Sequence, residues 1–122
     1  MTSKKQPPAP GAQLEPSIVF HGEQQGGPER QLKSKISDLL LTEPMVQRAY
    51  LARIEVVGER GVAMCLYAPG CNEESLVDKI SGIFAASFQR NQQLDILFLD
   101  VPQLSAINKV CRAFYPVKVT VN

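Results

Sequence analysis

The stretch YLARIEVVGERGVAMCLY, Tyr50 to Tyr67, sets two β-favouring runs on either side of Gly58-Glu59-Arg60-Gly61. This pattern predicts a β-hairpin whose turn lies in those four residues. In the first run Ala52, Ile54 and Val56 share one face while Arg53 and Glu55 share the other, the alternation of a half-exposed strand. The second run, Val62 to Tyr67, is apolar on both faces, so it belongs inside a sheet with cover above and below. A lone hairpin is marginal in water, so the remaining chain must supply further strands and that cover.

The flanking segments have the right character. Ile18, Val19 and Phe20, between Pro16 and Gly22, predict a short strand over Ser17 to His21. Pro28 suits a first helical turn, and Leu32, Ile36, Leu39 and Leu40 form one apolar stripe of a helix ending near Leu41, before the break at Glu43-Pro44. Asn72 is a good N-cap, Glu73 and Glu74 complement the positive helix end, and Leu76, Ile80, Ile83, Phe84 and Ser87 or Phe88 trace the inward stripe of a second helix. Leu94 to Leu99 predicts another strand. Asp100 then caps a third helix that starts at Pro102 and turns Leu104, Ile107, Val110 and Phe114 inward. Val117, Val119 and Val121 alternate as in a further strand after Pro116.

This order predicts an α+β domain on the split βαβ, or ferredoxin-like, plan. The sheet has four to five strands, two helices on one face and an added C-terminal helix. Right-handed crossovers place the first two helices on the same face. The other face needs cover from the third helix, the C-terminal strand or a partner.

With 122 residues, 44% of them hydrophobic, the chain is one domain. Residues 1–16 hold four of the nine prolines and little apolar surface, so they are expected to form a disordered arm, with the folded domain over 17–122. Beyond the arm, eleven basic residues face eleven acidic ones. A neutral domain without a basic run lacks the electrostatic footprint of tight nucleic-acid binding or adsorption to a membrane surface. No apolar run approaches a membrane span and no hydrophobic stretch follows Lys4 and Lys5, so a cytoplasmic protein is expected. Cys65, Cys71 and Cys111 form no CxxC pair, and His21 is far from all three in sequence, so neither a metal site nor a cofactor is expected.

The candidate chemistry is thin, and no catalytic residue is assigned. Cys71 precedes the second helix, where oriented amides can stabilise a thiolate, which makes it the candidate reactive thiol; Glu73 and Glu74 oppose that charge. His21 has no nucleophile or carboxylate placed beside it by any motif and is expected as a surface or capping histidine. Asp95 and Asp100 flank an extended strand, roughly 16 Å apart, too far for paired acid and base work. The third strand, RGVAMCLY from Arg60, partly follows the register of RNA-recognition domains, but Val62 and Met64 stand where the stacking aromatic rings belong. Phe114 and Tyr115 are the candidate partner-binding residues, because aromatic side chains near a surface dominate interface energetics; they serve equally well to close the core beneath the third helix.

The phrases VFHGE, PMVQRAYLARI, LDILFLD and CRAFY, spread over Ile18 to Tyr115, resemble the C-terminal domain of the bacterial enhanced serine sensitivity protein B (SseB) family. Full-length members of that family carry another domain before this one, where this chain has its proline-rich arm. The resemblance implies a small cytoplasmic α+β module linked to serine tolerance, without established catalytic residues. The expected function is therefore a non-catalytic protein-binding or regulatory module. A second copy of the chain is one candidate for its protein partner. The alternatives are an enzyme or thiol carrier of sulfur or amino-acid metabolism using Cys71, and an RNA-binding module.

Overall fold

The computed structural model describes residues 18–87 and 94–116. The proline-rich arm and the alternating valines Val117, Val119 and Val121 lie outside the described residues. In chain order the elements are β1 (Ile18–Glu23), α1 (Gly27–Leu40), β2 (Arg48–Val56), β3 (Glu59–Tyr67), α2 (Glu73–Ser87), β4 (Asp95–Phe98) and α3 (Val101–Asn108). The fold is α+β, with four strands and three helices among the described residues. The element order is that of the split βαβ plan, and the strands lie in the sheet in sequential order, β1-β2-β3-β4. The β1–β2 and β2–β3 pairs are antiparallel and β3–β4 is parallel, joined through α2.

The two faces of the sheet are built from alternate residues. Ala49, Leu51, Met64 and Leu66 pack against Leu32, Ile36 and Leu40 of α1 and Leu76 and Ile80 of α2. Tyr50, Ala52, Ile54, Ala63 and Cys65 point the other way, where Ile107 of α3 covers them together with Phe20, Leu99 and Cys111. Two helices thus share one face as predicted, and α3 provides the second cover that β3 requires. Full burial of a Leu or Ile side chain contributes ~1.5–3 kcal/mol, so these two layers carry most of the stabilisation. The helix ends follow local chemistry: Asn72 Oδ1 accepts from the Ser75 N–H at 3.0 Å, and Asp100 and Gln103 form a reciprocal capping box.

The hairpin turn corrects the expectation. It is made by Val57 and Gly58, with φ of 51° and 79°, and Glu59 and Arg60 are already in register with Val56 and Glu55. A two-residue turn with both central residues left-handed matches the twist of the paired strands, and the longer ladder outweighs the strain at Val57. Val57 is 76% exposed and packs against little. Val57→Asn, which creates an Asn-Gly turn, is therefore expected to raise stability by about 1 kcal/mol, a rise of roughly 4–8 °C in thermal midpoint. Calorimetry checks this, and an unchanged or lower midpoint would refute it.

Other boundaries move as well, and β2 begins at Arg48, two residues before Tyr50. β1 continues past His21 to Glu23 through a bulge between Phe20 and Gly22. The third helix stops at Asn108, so Val110 lies beyond it and is exposed, and Phe114 belongs to an extended segment rather than to the helix. Apolar spacing alone extended that helix too far, because the same residues fit a chain that leaves the helix and crosses the sheet edge.

Candidate functional site

β1 pairs only with the later part of β2: its last partner is Ala52, the Gln24 N–H just beyond it donates to the Leu51 carbonyl at 2.9 Å, and the beginning of β2 is left open on that side. The chain after α3 fills the opening. Tyr50, fully buried, donates its hydroxyl to Asn108 Oδ1 and fixes the end of α3. Cys111 is buried near the Leu51 carbonyl. The Phe114 N–H donates to the Ala49 carbonyl at 2.9 Å, and the Ala49 N–H to the Tyr115 carbonyl at 3.0 Å. The segment therefore passes from the α3 face, around the edge, to the α1 face. There Phe114 and Tyr115 are half-buried against the first core layer, and the Tyr115 hydroxyl donates to the Leu40 carbonyl at 3.2 Å. The two aromatics act here as a clasp on the core and keep part of their surface in solvent.

Between this wrapping segment and the end of β1 lies an open groove of about 770 Å³, lined by Glu23, Arg48, Asn108, Val110, Cys111 and Arg112 among others. Among the described residues neither Arg48 nor Arg112 forms an ion pair. Glu23 is already engaged by Lys33 at 2.6 Å. Burial alone would raise its pKa, but the hydrogen bond and charge of Lys33, with smaller help from Gln25 and Arg112, hold it below the ordinary carboxylate value. The groove thus presents two guanidinium groups without an ion pair among the described residues, over a partly apolar wall, and the charge of Arg112 also acts weakly on Glu23.

A second surface lies at the end of the sheet where β3 and β4 finish and β2 begins. Leu41, Met45 and Val101 are 74%, 48% and 63% exposed there. The chain reaches this end because α1 and α2 run antiparallel, held by Lys35 to Ser87 at one end and Lys79 to Glu43 towards the other. Met45 Cε lies over Gly70, at 3.0 Å from where a Cβ would stand; with φ at 81°, Gly70 supplies both the turn and the room. Val101 lies beside Gln47 and Tyr67 on the α3 side of the same end. Tyr115, bonded to Leu40, borders the surface beside Leu41.

The remaining candidates are not brought together. Cys71 is partly buried in the turn before α2, and its thiol is pushed above the ordinary value by desolvation and by Glu73 and Glu43, against a smaller opposing effect of a backbone hydrogen bond. The helix-end stabilisation expected of this position is outweighed, and the group is held as a thiol. His21 sits at the β1 bulge with Nε2 3.0 Å from Glu55 Oε1, whose other neighbour is Arg60 at 3.7 Å. Asp95 begins β4, and Asp100, beyond its far end, caps α3. No cluster of three or more metal-ligating side chains occurs among the described residues, and no described helix is long and apolar enough to cross a membrane. In the RNA-recognition register, Val62 and Met64 face the helices; Met64 is fully buried and has no surface for a base.

Sequence reasoning passed over Arg48, Arg112, Leu41, Met45 and Val101. The available signals were Leu41 as a third leucine, beyond the width one helical stripe uses, and Met45 directly after the Pro44 break. Nothing local marks the two arginines as neighbours. Compared with known proteins, the chain matches no family model, no curated protein and no solved structure.

Proposed function

We propose that this chain is a non-catalytic protein-binding module of the regulatory kind that the SseB resemblance implies, acting in the cytoplasm and connected through that resemblance to serine tolerance. The observation that carries the reading is the exposure of Leu41, Met45 and Val101 at one end of the sheet, bordered by the half-buried Tyr115. Exposed apolar side chains towards one end of a small domain offer a protein partner surface to cover, and contiguous apolar patches mark interaction sites. The separation of Cys71, His21 and the two aspartates supports binding over catalysis, since an active site needs polar groups that converge.

The test is affinity capture from the source cell, with quantitative identification of the bound proteins, using the unaltered chain, Leu41→Asp/Met45→Asp and Cys71→Ser. The charged double variant is expected to lose its specific partners by about tenfold or more, the range of an interface centre, while Cys71→Ser keeps them. Circular dichroism confirms that the double variant is folded. Partners retained by the folded double variant, or turnover that depends on Cys71, would overturn the reading.

A further inference from the structure

We propose that the groove between the end of β1 and the wrapping segment 109–116 binds an acidic, extended segment of a protein partner, with its carboxylates on Arg48 and Arg112. This rests on the protein-binding reading above and adds to it a second contact of defined chemistry. Arg48 and Arg112 line one groove and have no ion-pair partner among the described residues, while the one carboxylate on its wall, Glu23, is held by Lys33. Lys109, exposed in the same wrapping segment, adds a positive charge nearby. The domain as a whole carries no excess of positive charge, so this local concentration is a property of the folding and not of the composition.

The geometry favours a peptide over a compact anion. Guanidinium forks match carboxylates in bidentate fashion, and Val110, Ala113 and Pro116 give the groove an apolar strip for the intervening side chains. The volume of about 770 Å³ suits a few residues of extended chain, far more than one phosphate fills. The groove also lies where the chain 109–116 takes the place of β1 beside the first residues of β2, with Phe114 and Tyr115 bonded to Ala49, so a partner segment lying along it is held by the two arginines and the apolar strip.

The experiment titrates the full chain into a fluorescein-labelled dodecapeptide of alternating glutamate and leucine, read by fluorescence anisotropy. Its glutamine-for-glutamate counterpart and a charge-matched oligodeoxythymidylate serve as comparison probes. The acidic peptide is expected to bind, to weaken about tenfold or more for each of Arg48→Glu and Arg112→Glu, and to weaken as sodium chloride rises. Arg48→Gln and Arg112→Gln, which keep much of the packing, are expected to show smaller losses in the same order. Arg60→Glu, at the hairpin end of the sheet, leaves binding unchanged. Equal binding of the glutamine peptide, equal binding of the oligonucleotide, or indifference to both arginines in folded protein would overturn the proposal. Capture of partners through Leu41 and Met45 is scored independently, so the groove can fail while the protein-binding reading stands, and the reverse.

Discussion

Replacing Tyr50 with alanine is expected to lower the stability of the domain by about 3–5 kcal/mol, the range for removing a buried aromatic ring, and to bring it near the threshold of folding. Tyr50 is fully buried on the α3 face and packs in the layer with Ala52, Cys65, Ile107 and Cys111. Tyr50→Phe keeps the ring and loses only the hydroxyl that Asn108 accepts, so a loss of about 1 kcal/mol is expected. The pair of variants separates packing from the hydrogen bond that fixes the end of α3. Urea unfolding measures both; a Tyr50→Phe loss as large as that of Tyr50→Ala would show that the hydroxyl, not the ring, holds this layer.

Alkaline pH is expected to destabilise the domain through its two buried thiols. Desolvation, with a smaller contribution from Cys111, pushes Cys65 up to about 12, and desolvation followed by the charge of Glu23 pushes Cys111 up to about 11, from an ordinary value of 9.0. A thiol is neutral when protonated, so a raised folded pKa means that the fold favours the protonated form. Below about pH 9 both states are protonated and the contribution is whole; above it the unfolded chain ionises first, and stability falls as pH rises towards the folded values. At pH ~10.5 the two thiols together cost about 4 kcal/mol, an order-of-magnitude figure from ~1.4 kcal/mol per pH unit per group. Urea unfolding at neutral pH and at that pH, repeated on Cys65→Ala/Cys111→Ala, isolates the contribution from the lysines and tyrosines that titrate nearby. The double variant should lose well under half as much on going alkaline; an equal loss would remove the thiols from the explanation.

Both predictions concern the α3 face, the part of the molecule least legible in the sequence. The hairpin, the helix stripes, Asn72 and Asp100 as caps and the buried character of β3 were all readable, because each rests on interactions within a few residues: side-chain periodicity, a cap reaching two or three residues along, and a proline that removes a donor. The apolar second face of β3 also required a cover, though it did not say which element would supply it. At Val57-Gly58 the local reading favoured Gly58 to Gly61 as the turn, and cross-strand pairing of Glu59 and Arg60 decided otherwise.

By itself the sequence determined the α+β class, the order of the elements and the identity of most core residues, since alternation and the 3.6-residue stripe commit a side chain to a face before any long-range contact forms. Only the tertiary structure decided that the strands lie in sequential order, that β1 stops halfway along β2, and that the chain after α3 crosses the resulting gap so that Phe114 and Tyr115 clasp the α1 face. The candidate surfaces belong wholly to that second category. Arg48 and Arg112 line one groove, and Leu41, Met45 and Val101 come to the same end of the sheet, through the packing of segments distant in the chain, and such placement leaves no trace in local spacing.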